Sequence, residues 1–453
     1  MDGLEASLEK MRREGLADAA VETFRHYYEQ LVAGETGVLA ESELEPLDSL
    51  PEYDDLPDSD AADVLDRAVV VKLNGGLGTS MGMTGPKSLL EVKDGRSFLD
   101  IIAEQVLERR RRSGARIPLV LMNSFATRKK SLDALEAHDD IAADVPLDFV
   151  QNQEPKLLAD ELTPAEWPAD PALEWCPPGH GDLYTALQTS GMLERLLDGH
   201  YRYAFVSNVD NLGAVLDPRI LTWFAAEGAP FASEAIDRTE ADKKGGHLAR
   251  RGDRLVLRES AQVAESDEEA FQDTSRHRFF NANNLWIDLE ALAALLCERG
   301  PVLGLPLIVN RKTVDPGDAS SPEVLQLETA MGSAIGVFDG AVALRVPRRR
   351  FTPVKTTSDL LVLRSDAYEL TPEYHVELVE ARGDRGAPLV SLSDDYKRLR
   401  DFEARFESGP PSLVDADRLT VEGDVDFGAD VVVRGSARVE GPATIEDGAV
   451  LEG

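Results

Sequence analysis

Apolar residues recur at helical spacing along the first 35 positions of the chain. Two series follow this spacing: first Leu4, Leu8 and Met11, and then Ala19, Val21, Phe24, Tyr28 and Leu31. A period near 3.6 places the members of each series on one face, so the pattern predicts two amphipathic helices. Residues 41–63 are acidic and contain prolines, as in PEYDDLPDSDAAD. That composition favours a surface connection over a core element.

From Ala68 onward, short apolar runs alternate with helical patterns. The predicted strands include AVVVKL (68–73), IPLVLMN (117–123) and YAFVSNVD (203–210). Ser97, with Asp100 three residues later, is predicted to open a helix with a capping box. Such repetition is typical of a mostly parallel sheet with helices on both faces. Ligands bind at the carboxyl ends of parallel strands, so the loops after residues 73, 122 and 208 are predicted to meet at the site.

The C-terminal end carries a six-residue repeat. One apolar series is Val421, Phe427, Val433, Val439, Ile445 and Leu451, and a second precedes it by two positions: Leu419, Val425, Val431, Ala437, Ala443 and Ala449. Hexapeptide periodicity is typical of a parallel β-helix. At about 18 residues per coil, only about two coils fit, so the repeat is expected to pack on its own chain or on another subunit.

The composition and net charge of the chain limit the classes of molecule that it could bind. The chain has 453 residues, for which two or three domains are expected, and a formal net charge of −35. A nucleic-acid partner is excluded because phosphate backbones recruit clustered Lys and Arg. A small polyanionic substrate would therefore need a local positive pocket in a negative body. The acid excess fits a solvated, soluble surface, and it also fits a salt-rich cytoplasm.

The cysteines and the N-terminal sequence indicate a location. Cys176 and Cys297 are the only cysteines and have no CxxC spacing, so neither a disulfide framework nor a structural zinc site is expected. The start, MDGLEASLEKMRREGL, lacks the basic and apolar regions of a signal peptide, and no apolar run has the length of a membrane span. We therefore expect a cytoplasmic protein without a membrane partner.

The densest chemical motif is the glycine-rich loop LNGGLGTSMGMTGPK (73–87), which follows the first predicted strand. Glycines let backbone N–H groups approach phosphate oxygens, and Lys87 adds a positive charge at the far end. Pro86 separates Gly85 from Lys87, which excludes a Walker A loop, and the glycine spacing GxGxxxG excludes the dinucleotide fingerprint GxGxxG. The loop is therefore predicted to bind phosphate in another way.

The loop VKLNGGLGTSMGMTGPKS closely resembles the nucleotide-binding loop of eukaryotic-type UDP-glucose pyrophosphorylases. Further blocks of that family occur in family order between residue 68 and about residue 365: PLVLMNSF, PPGHGDLY, FVSNVDNLGA, KKGGHL, ESAQV, FNANNLWIDL, VLQLETAMGSAI and VPRRRFTPVKTTSDLLVL. Relatives that use N-acetylhexosamine phosphates carry Arg where Ser80 stands here, which favours the glucose branch.

The resemblance implies an α/β fold: a mixed, mostly parallel Rossmann-like nucleotidyltransferase sheet with a C-terminal left-handed parallel β-helix. We expect an N-terminal helical segment and acidic linker over residues 1–63 and a catalytic domain over 64–365. A C-terminal domain over 366–453 would end in the β-helix at about 419–453. The repeat also leads us to consider self-association through this β-helix.

The resemblance also implies a UTP site. Its expected residues are Leu73, Asn74, Gly75, Gly76, Lys87, Gln151, Gly179, Asp210 and Lys355. Gln151 corresponds to a uracil-reading glutamine, since an amide offers both a donor and an acceptor to the base. The local sequence QNQEPK departs from the family pattern, so Gln153 stays an alternative.

The sugar phosphate is expected to contact His180, Asn208, Val209, Gly246, Glu259 and Asn283. Lys355 and Lys87 are the expected catalytic cations, and Asp210 is the expected Mg²⁺ ligand, since Mg²⁺ takes few protein ligands and keeps several waters. Two of these positions have structural alternatives: Asp210 as an Asx-turn residue, and Asn283 as a buried amide that satisfies backbone groups. Arg348, Arg349 and Arg350 form a basic run to which no chemistry is assigned.

The implied reaction joins UTP to glucose 1-phosphate and releases pyrophosphate. The sugar phosphate is already an anionic nucleophile, so the protein's task is charge neutralisation and orientation. In the resembling family UTP binds first, attack is in line and no covalent enzyme intermediate forms. Two other readings stay open: a pyrophosphorylase for galactose 1-phosphate or an N-acetylhexosamine 1-phosphate, and a non-catalytic sugar-nucleotide sensor.

Overall fold

The computed structural model describes residues 3–35 and 37–453; Met1, Asp2 and Thr36, which belong to the predicted segment 1–63, lie outside the described residues. Within those ranges, no helix combines the length and the apolar character that crossing a bilayer requires. The α-helices are α1 (Gly3–Arg13), α2 (Asp18–Val32), α3 (Phe98–Ser113), α4 (Phe125–Leu135), α5 (Leu183–Thr189), α6 (Met192–Asp198), α7 (Pro218–Glu227), α8 (Glu268–Gln272), α9 (Leu289–Arg299), α10 (Thr357–Arg364) and α11 (Leu399–Arg405).

The strands fall into a central sheet and several small ones. They are β1 (Ala68–Asn74), β2 (Glu91–Lys93), β3 (Arg96–Ser97), β4 (Leu119–Asn123), β5 (Asp148–Val150), β6 (Glu154–Pro155), β7 (Leu157–Leu158), β8 (Trp175–Cys176), β9 (Tyr203–Asn208), β10 (Phe231–Asp237), β11 (His247–Arg251), β12 (Arg254–Arg258), β13 (Phe279–Asp288), β14 (Ile308–Thr313), β15 (Glu323–Glu328), β16 (Val342–Arg345), β17 (Tyr368–Leu370), β18 (Val376–Leu378), β19 (Leu389–Leu392), β20 (Ala416–Glu422), β21 (Val425–Phe427), β22 (Val432–Glu440), β23 (Ala443–Ile445) and β24 (Val450–Glu452).

β1 lies inside a nine-stranded sheet whose main order is β12-β11-β13-β9-β1-β4-β5. β1 pairs in parallel with both β4 and β9, and β4 pairs in parallel with β5. β13 runs antiparallel to β9 and β10, and β10 pairs in parallel with β16. The mixed, largely parallel sheet predicted from the sequence is confirmed. Leu73 stands opposite both Met122 and Asn208, so three loops leave the sheet at one edge.

Both faces of the parallel strands are buried. In β1, Val70 belongs to the hydrophobic core on one face, whereas Val69 and Val71 belong to the core on the other. This two-residue alternation is how an apolar run such as AVVVKL fills a strand covered on both sides. α3 covers one face and begins as predicted, because Ser97 and Asp100 form a capping box. The scaffold under the loops is therefore fixed by core packing.

The acidic segment 41–63 differs from the surface connection predicted for it. Leu44, Leu47, Tyr53 and Leu56 are all less than 9% exposed, and they enter the cores of the catalytic sheet and its neighbours. The acidic residues alternate with these apolar side chains and stay at the surface, which explains why composition alone indicated a linker. The segment wraps the catalytic region and is part of its packing.

The six-residue repeat forms parallel ladders. Leu419 pairs with Ala437 and Val433 with Leu451, so each partner lies 18 positions further along the chain. Leu419, Val421 and Val433 are fully buried, and they share a continuous core with Phe402 of α11. The predicted coil length therefore matches the ladder offset, and the repeat packs on its own chain. The left-handed sense of the coil stays a prediction.

Candidate active site

The start of the glycine-rich loop is anchored by hydrogen bonds of a buried side chain. Asn74, the last residue of β1, is fully buried, and its side-chain amide donates to Asn123 Oδ1 and to Ser131 Oγ, both at 2.7 Å. These bonds tie β1 to β4 and α4. The Asn74 side chain thus holds the strand end in place, and the backbone of Gly75 and Gly76 is the part of this motif that a phosphate can approach.

The loop then folds back on itself. Gly78 and Gly82 have φ values of 64° and 71°, a left-handed conformation that glycine adopts without a steric penalty. The backbone N–H of Lys87 donates to the carbonyl oxygen of Gly76 at 3.0 Å. This bond returns Lys87 to the beginning of the loop, so residues ten or more positions apart in the sequence face the same space.

Lys87 and Asp210 form an ion pair at the edge of the sheet. Lys87 Nζ lies 2.7 Å from Asp210 Oδ2, and the two side chains are only 13% and 20% exposed. Asp210 follows β9, and Val209 donates its N–H to the carbonyl oxygen of Leu73 at 3.2 Å, which holds this turn against β1. Asn208 ends β9 directly opposite Leu73. The structure therefore brings Leu73, Lys87, Asn208, Val209 and Asp210 together.

The residue expected to read the base lies beside the loop. Gln151 follows β5, its N–H donates to the carbonyl oxygen of Asn123, and a Cβ at Gly75 would lie 2.9 Å from its Oε1. Of the two glutamines considered, Gln151 is the one in contact with Gly75. A side chain at position 75 would fill this space, so glycine keeps the surface next to the Gln151 amide open.

Asp182, a carboxyl group that sequence analysis did not single out, holds Asn152, the residue after Gln151. Asp182 is 5% exposed and accepts two hydrogen bonds from Asn152, from its N–H at 2.6 Å and from Nδ2 at 2.8 Å. Burial raises the pKa of Asp182 to about 7, although the bonds from Asn152 favour its ionised form. The loop that carries Gln151 is thus tied to a carboxyl group that titrates near neutrality.

The turn that precedes α5 places Gly179 and His180 against the strand end at Thr329. The φ of Gly179 is 78°, and a Cβ there would collide with the backbone of Thr329. The N–H of Met331 donates to His180 Nδ1 at 2.9 Å, which leaves the proton on Nε2. The residue as a whole is exposed, yet the protein packed around the imidazole desolvates it and lowers its pKa to about 4. His180 is therefore a neutral hydrogen-bond donor.

Three of the residues expected at the sugar lie close to one another in the sheet: Gly246 directly before β11, Glu259 directly after β12, and Asn283 on β13. A Cβ at Gly246 would lie 2.5 Å from Glu259 Oε2, so the glycine gives the carboxylate its room. Burial raises the pKa of Glu259, and the positive charge of Lys355 opposes that shift. Asn283 has a φ of 54°, and its Oδ1 accepts from Asn281 Nδ2 at 2.9 Å, so part of the amide already serves the protein.

Lys355 is exposed and stands just before α10. Among the residues that the structure describes, its ammonium group has no acidic partner within salt-bridge distance. Its loop is nevertheless fixed: the N–H of Lys355 donates to Asp359 Oδ2 at 2.8 Å, and the N–H of Val354 donates to the carbonyl oxygen of Asp210 at 3.0 Å. Asp210 thus joins Lys87 through its side chain and the Lys355 loop through its backbone.

A buried ion pair behind this loop was missed by sequence reasoning. Arg350 donates to both carboxylate oxygens of Glu234, at 2.7 and 2.6 Å, and the two side chains are only 6% and 1% exposed. Trp286 and Asn284 also donate to Glu234. The carbonyl oxygen of Arg350 accepts from Asn211, which neighbours Asp210. The network therefore positions both sides of the cleft, and no local pattern marks residues 116 positions apart as partners.

We call the two sides of this cleft the nucleotide half, which comprises Gly75, Gly76, Lys87, Gln151 and Asp210, and the sugar half, which comprises Gly246, Glu259, Asn283 and Lys355. Among residues 3–35 and 37–453, no group of three or more acidic, histidine or cysteine side chains could hold a metal ion. Asp210 is a single, partly exposed carboxylate at the strand edge. Such a donor fits a Mg²⁺ ion whose other ligands are water and phosphate oxygens.

Comparison with known proteins identifies the family of the chain. The sequence profile of the UTP–glucose-1-phosphate uridylyltransferase family matches residues 21–434. The chain is 40% identical to the UTP–glucose-1-phosphate uridylyltransferase of Solanum tuberosum over 411 residues, which cover 90% of this chain and 84% of the relative. It is also 40% identical to the Hordeum vulgare enzyme of the same name over 413 residues, with coverages of 90% and 85%.

Solved structures are similar over the full length. A mutant of the Leishmania major UDP-glucose pyrophosphorylase, crystallised in complex with UDP-glucose, has a TM-score of 0.94 and 45% identity, with 100% of this chain and 98% of that chain covered. The UDP-glucose phosphorylase of Trypanosoma brucei has a TM-score of 0.92 and 44% identity, with coverages of 99% and 98%. These matches extend over both halves of the cleft, and the chain belongs to the UTP–glucose-1-phosphate uridylyltransferase family.

Proposed function

We propose that this chain makes UDP-glucose and pyrophosphate from UTP and glucose 1-phosphate. One observation carries the proposal: Asp210 is ion-paired with Lys87 in the nucleotide half and hydrogen-bonded to the loop of Lys355 next to the sugar half. Asp210 thereby pairs with one cation through its carboxylate and holds the loop of a second cation through its backbone, at the end of the central parallel strands. This is the arrangement that a reaction between two polyanions needs, because their mutual repulsion must be neutralised before they can meet.

The chemistry follows from the substrates. A phosphate oxygen of glucose 1-phosphate forms a bond to the α-phosphorus of UTP in line with the bond that breaks, and pyrophosphate leaves with the electron pair of that bond. No general base is needed, since the nucleophile is already an anion. Lys355 neutralises the phosphates that react, and Lys87 with the Gly75 and Gly76 backbone holds the departing phosphates. Mg²⁺, held by Asp210, would supply further neutralisation of phosphate charge.

Selectivity is assigned to the edges of the cleft. Gln151 reads uracil through its amide, Leu73 and Gly179 complete the nucleotide site around it, and the buried Asn74 holds the strand end beneath them. His180, Asn208, Val209, Gly246, Glu259 and Asn283 contact glucose 1-phosphate. The neutral His180 donates from Nε2, and the carboxylate of Glu259 accepts from a sugar hydroxyl.

The test is a turnover assay with UTP and a panel of sugar 1-phosphates: glucose, galactose and N-acetylglucosamine. We expect sugar nucleotide and pyrophosphate in equal amounts, with the highest kcat/KM for glucose 1-phosphate. A higher kcat/KM for another sugar would transfer the proposal to that substrate. Binding of UDP-glucose without turnover would identify a sensor instead.

We also propose a cytoplasmic location, a domain division at residue 365 with residues 41–63 packed on the catalytic domain, and a left-handed sense for the C-terminal parallel ladders. The last coil leaves Val450 48% exposed, which supports self-association through this end. Truncation after Glu440 removes the half-open coil and leaves the buried Leu419 and Val421 in place. Size-exclusion chromatography of both proteins tests the proposal: an unchanged mass at high concentration would exclude this interface.

A further inference from the structure

Two basic side chains from distant parts of the chain meet the far end of the glycine-rich loop. Lys130 comes from α4, and a Cβ at Gly85 would lie 3.6 Å from its Nζ. Arg398 precedes α11, and a Cβ at Gly82 would lie 3.3 Å from its Cγ and 3.5 Å from its Cβ. The stem of Arg398 thus packs on the loop, and its side chain is exposed.

Neither Lys130 nor Arg398 is paired with an acidic side chain among the described residues. In the part of the chain that the structure describes, neither side chain forms a salt bridge or a hydrogen bond. Their neighbours do: Lys129 lies 2.6 Å from Asp133, and Arg400 lies 2.8 Å from Asp401. In a protein with a net charge of −35, acidic partners are abundant. Two unpaired cations beside one loop therefore create a local positive field in a protein of strongly negative net charge.

We propose that Lys130 and Arg398 bind the pyrophosphate end of the nucleotide, which is the β- and γ-phosphates of UTP and the pyrophosphate product. The inference rests on the proposed function. Lys87 is held at the start of the loop by its bond to Gly76 and by Asp210, so it approaches the phosphates from the strand edge. Lys130 and Arg398 lie beside Gly85 and Gly82 of the same loop, and we assign them to the phosphates furthest from the sugar.

Gly82 is the tighter of the two contacts: a Cβ there would require the stem of Arg398 to shift by a few tenths of an ångström, and the φ of 71° independently favours glycine. A Cβ at Gly85 would make an ordinary van der Waals contact with Lys130 Nζ. The contact also gives the C-terminal region a part in the site: Arg398 belongs to residues 366–453, and Tyr396 beside it donates from its hydroxyl to the carbonyl oxygen of Val425 in the repeat. The parallel ladders therefore support the segment that delivers Arg398.

The experiment is the reverse reaction, in which UDP-glucose and pyrophosphate are the substrates. For the full-length variants Lys130→Met and Arg398→Gln, we expect the KM for pyrophosphate to rise about three- to fivefold each, since each removes one exposed charge and exposed ion pairs contribute little in water. The double variant is expected to show a larger rise than either single variant. The KM for UDP-glucose should stay within about twofold, because the lost contacts lie beyond the α-phosphate.

Matched controls lie one and two residues away. Lys129→Met and Arg400→Gln remove exposed charges of the same kind, 86% and 83% exposed, from the same two elements. Both should leave the KM for pyrophosphate unchanged. Lys130→Arg and Arg398→Lys keep the charge and should restore most of the affinity. A rise in both KM values, or equal effects of the targets and the controls, would overturn the inference.

Failure of the proposed function remains distinguishable from failure of this inference. Binding of inorganic pyrophosphate measured by calorimetry does not require turnover. If the wild-type chain shows no uridylyltransferase activity but binds pyrophosphate, and Lys130→Met with Arg398→Gln abolishes the heat, the site stands without the reaction. If turnover is normal and pyrophosphate binds equally to wild type and double variant, the site is wrong and the reaction stands.

Discussion

The nucleotide half and the sugar half of the cleft differ in how completely the protein satisfies their charges. In the nucleotide half, Lys87 is paired with Asp210, and the buried Asn74 fixes the strand end from which the loop starts. In the sugar half, Lys355 is exposed and has no acidic partner among the described residues, and Glu259 sits in a site that raises its pKa. The charge of Lys87 in the nucleotide half is therefore paired in the free protein, whereas the charge of Lys355 in the sugar half is available to the substrate.

This difference assigns different work to the two lysines. A cation already paired in the free protein exchanges one anionic partner for another when nucleotide binds, so it contributes to binding and to turnover alike. An unpaired cation over the reacting phosphate gains most as negative charge develops there. Preorganised charge of that kind acts mainly in the transition state. Measurements that separate binding from turnover therefore test the comparison.

The largest effect is expected from metal removal. Because Asp210 is the only carboxylate placed on Mg²⁺, the ion would arrive with UTP and hold no part of the fold together. Chelation should abolish turnover and leave the melting temperature within about 1 °C of its starting value. Activity assays and thermal unfolding in the presence and absence of EDTA check both points. A melting temperature that falls by several degrees would mean that metal stabilises the free protein.

Lys355→Ala should follow in size. We expect kcat to fall by about two or more powers of ten, as for the loss of one charge that stabilises the transition state. The Kd for UTP should change by less than about threefold. Stopped-flow turnover and calorimetric binding of UTP separate the two quantities. Lys312→Ala, at an exposed lysine on β14, is the control and should match wild type in both. Wild-type turnover in Lys355→Ala would remove Lys355 from the mechanism.

Lys87→Ala should behave differently. It removes a contact present before the reaction as well as during it, so both the Kd for UTP and kcat should worsen, each by about tenfold or more. It also leaves Asp210 without its partner, and Asp210→Asn in the same protein should recover part of the affinity for UTP measured without Mg²⁺, because the uncompensated negative charge is then removed. A Lys87→Ala protein that binds UTP normally would show that the nucleotide half is not organised around this pair.

The part of the site that was predictable from sequence is the part encoded locally. An apolar run followed by glycines and Lys87 specifies a strand and a loop that returns to Gly76 within twenty residues, and the six-residue repeat specifies its ladder offset in the same way. The support beneath the site is encoded at long range. Arg350 and Glu234 read as ordinary charged residues, and only the fold shows that they form a buried pair.

The acidic segment illustrates the same limit. Residues 41–63 have the composition of a surface linker, yet Tyr53 and Leu56 are buried in the main core. Composition averages over a window, whereas packing depends on which few side chains point inward. No sequence pattern indicated that Lys130 and Arg398 lie beside the same loop, because their positions depend on where α4 and α11 are placed.

The smallest effect concerns Asp182, which supports the nucleotide half through Asn152. Its pKa is raised by burial from 3.8 to about 7, so the folded protein holds this proton over a range of pH in which the unfolded chain has released it. The contribution of Asp182 to stability is therefore greatest below about pH 4 and is lost as the pH rises toward 7.

Asp182→Asn removes this dependence. From about pH 5 to about pH 7, the free energy of unfolding of wild type relative to Asp182→Asn should fall by roughly 2 kcal/mol. Urea unfolding at several pH values measures this difference, with the exposed Asp160→Asn as the control. Parallel pH profiles for wild type and Asp182→Asn would show that the buried carboxyl does not titrate over this range of pH.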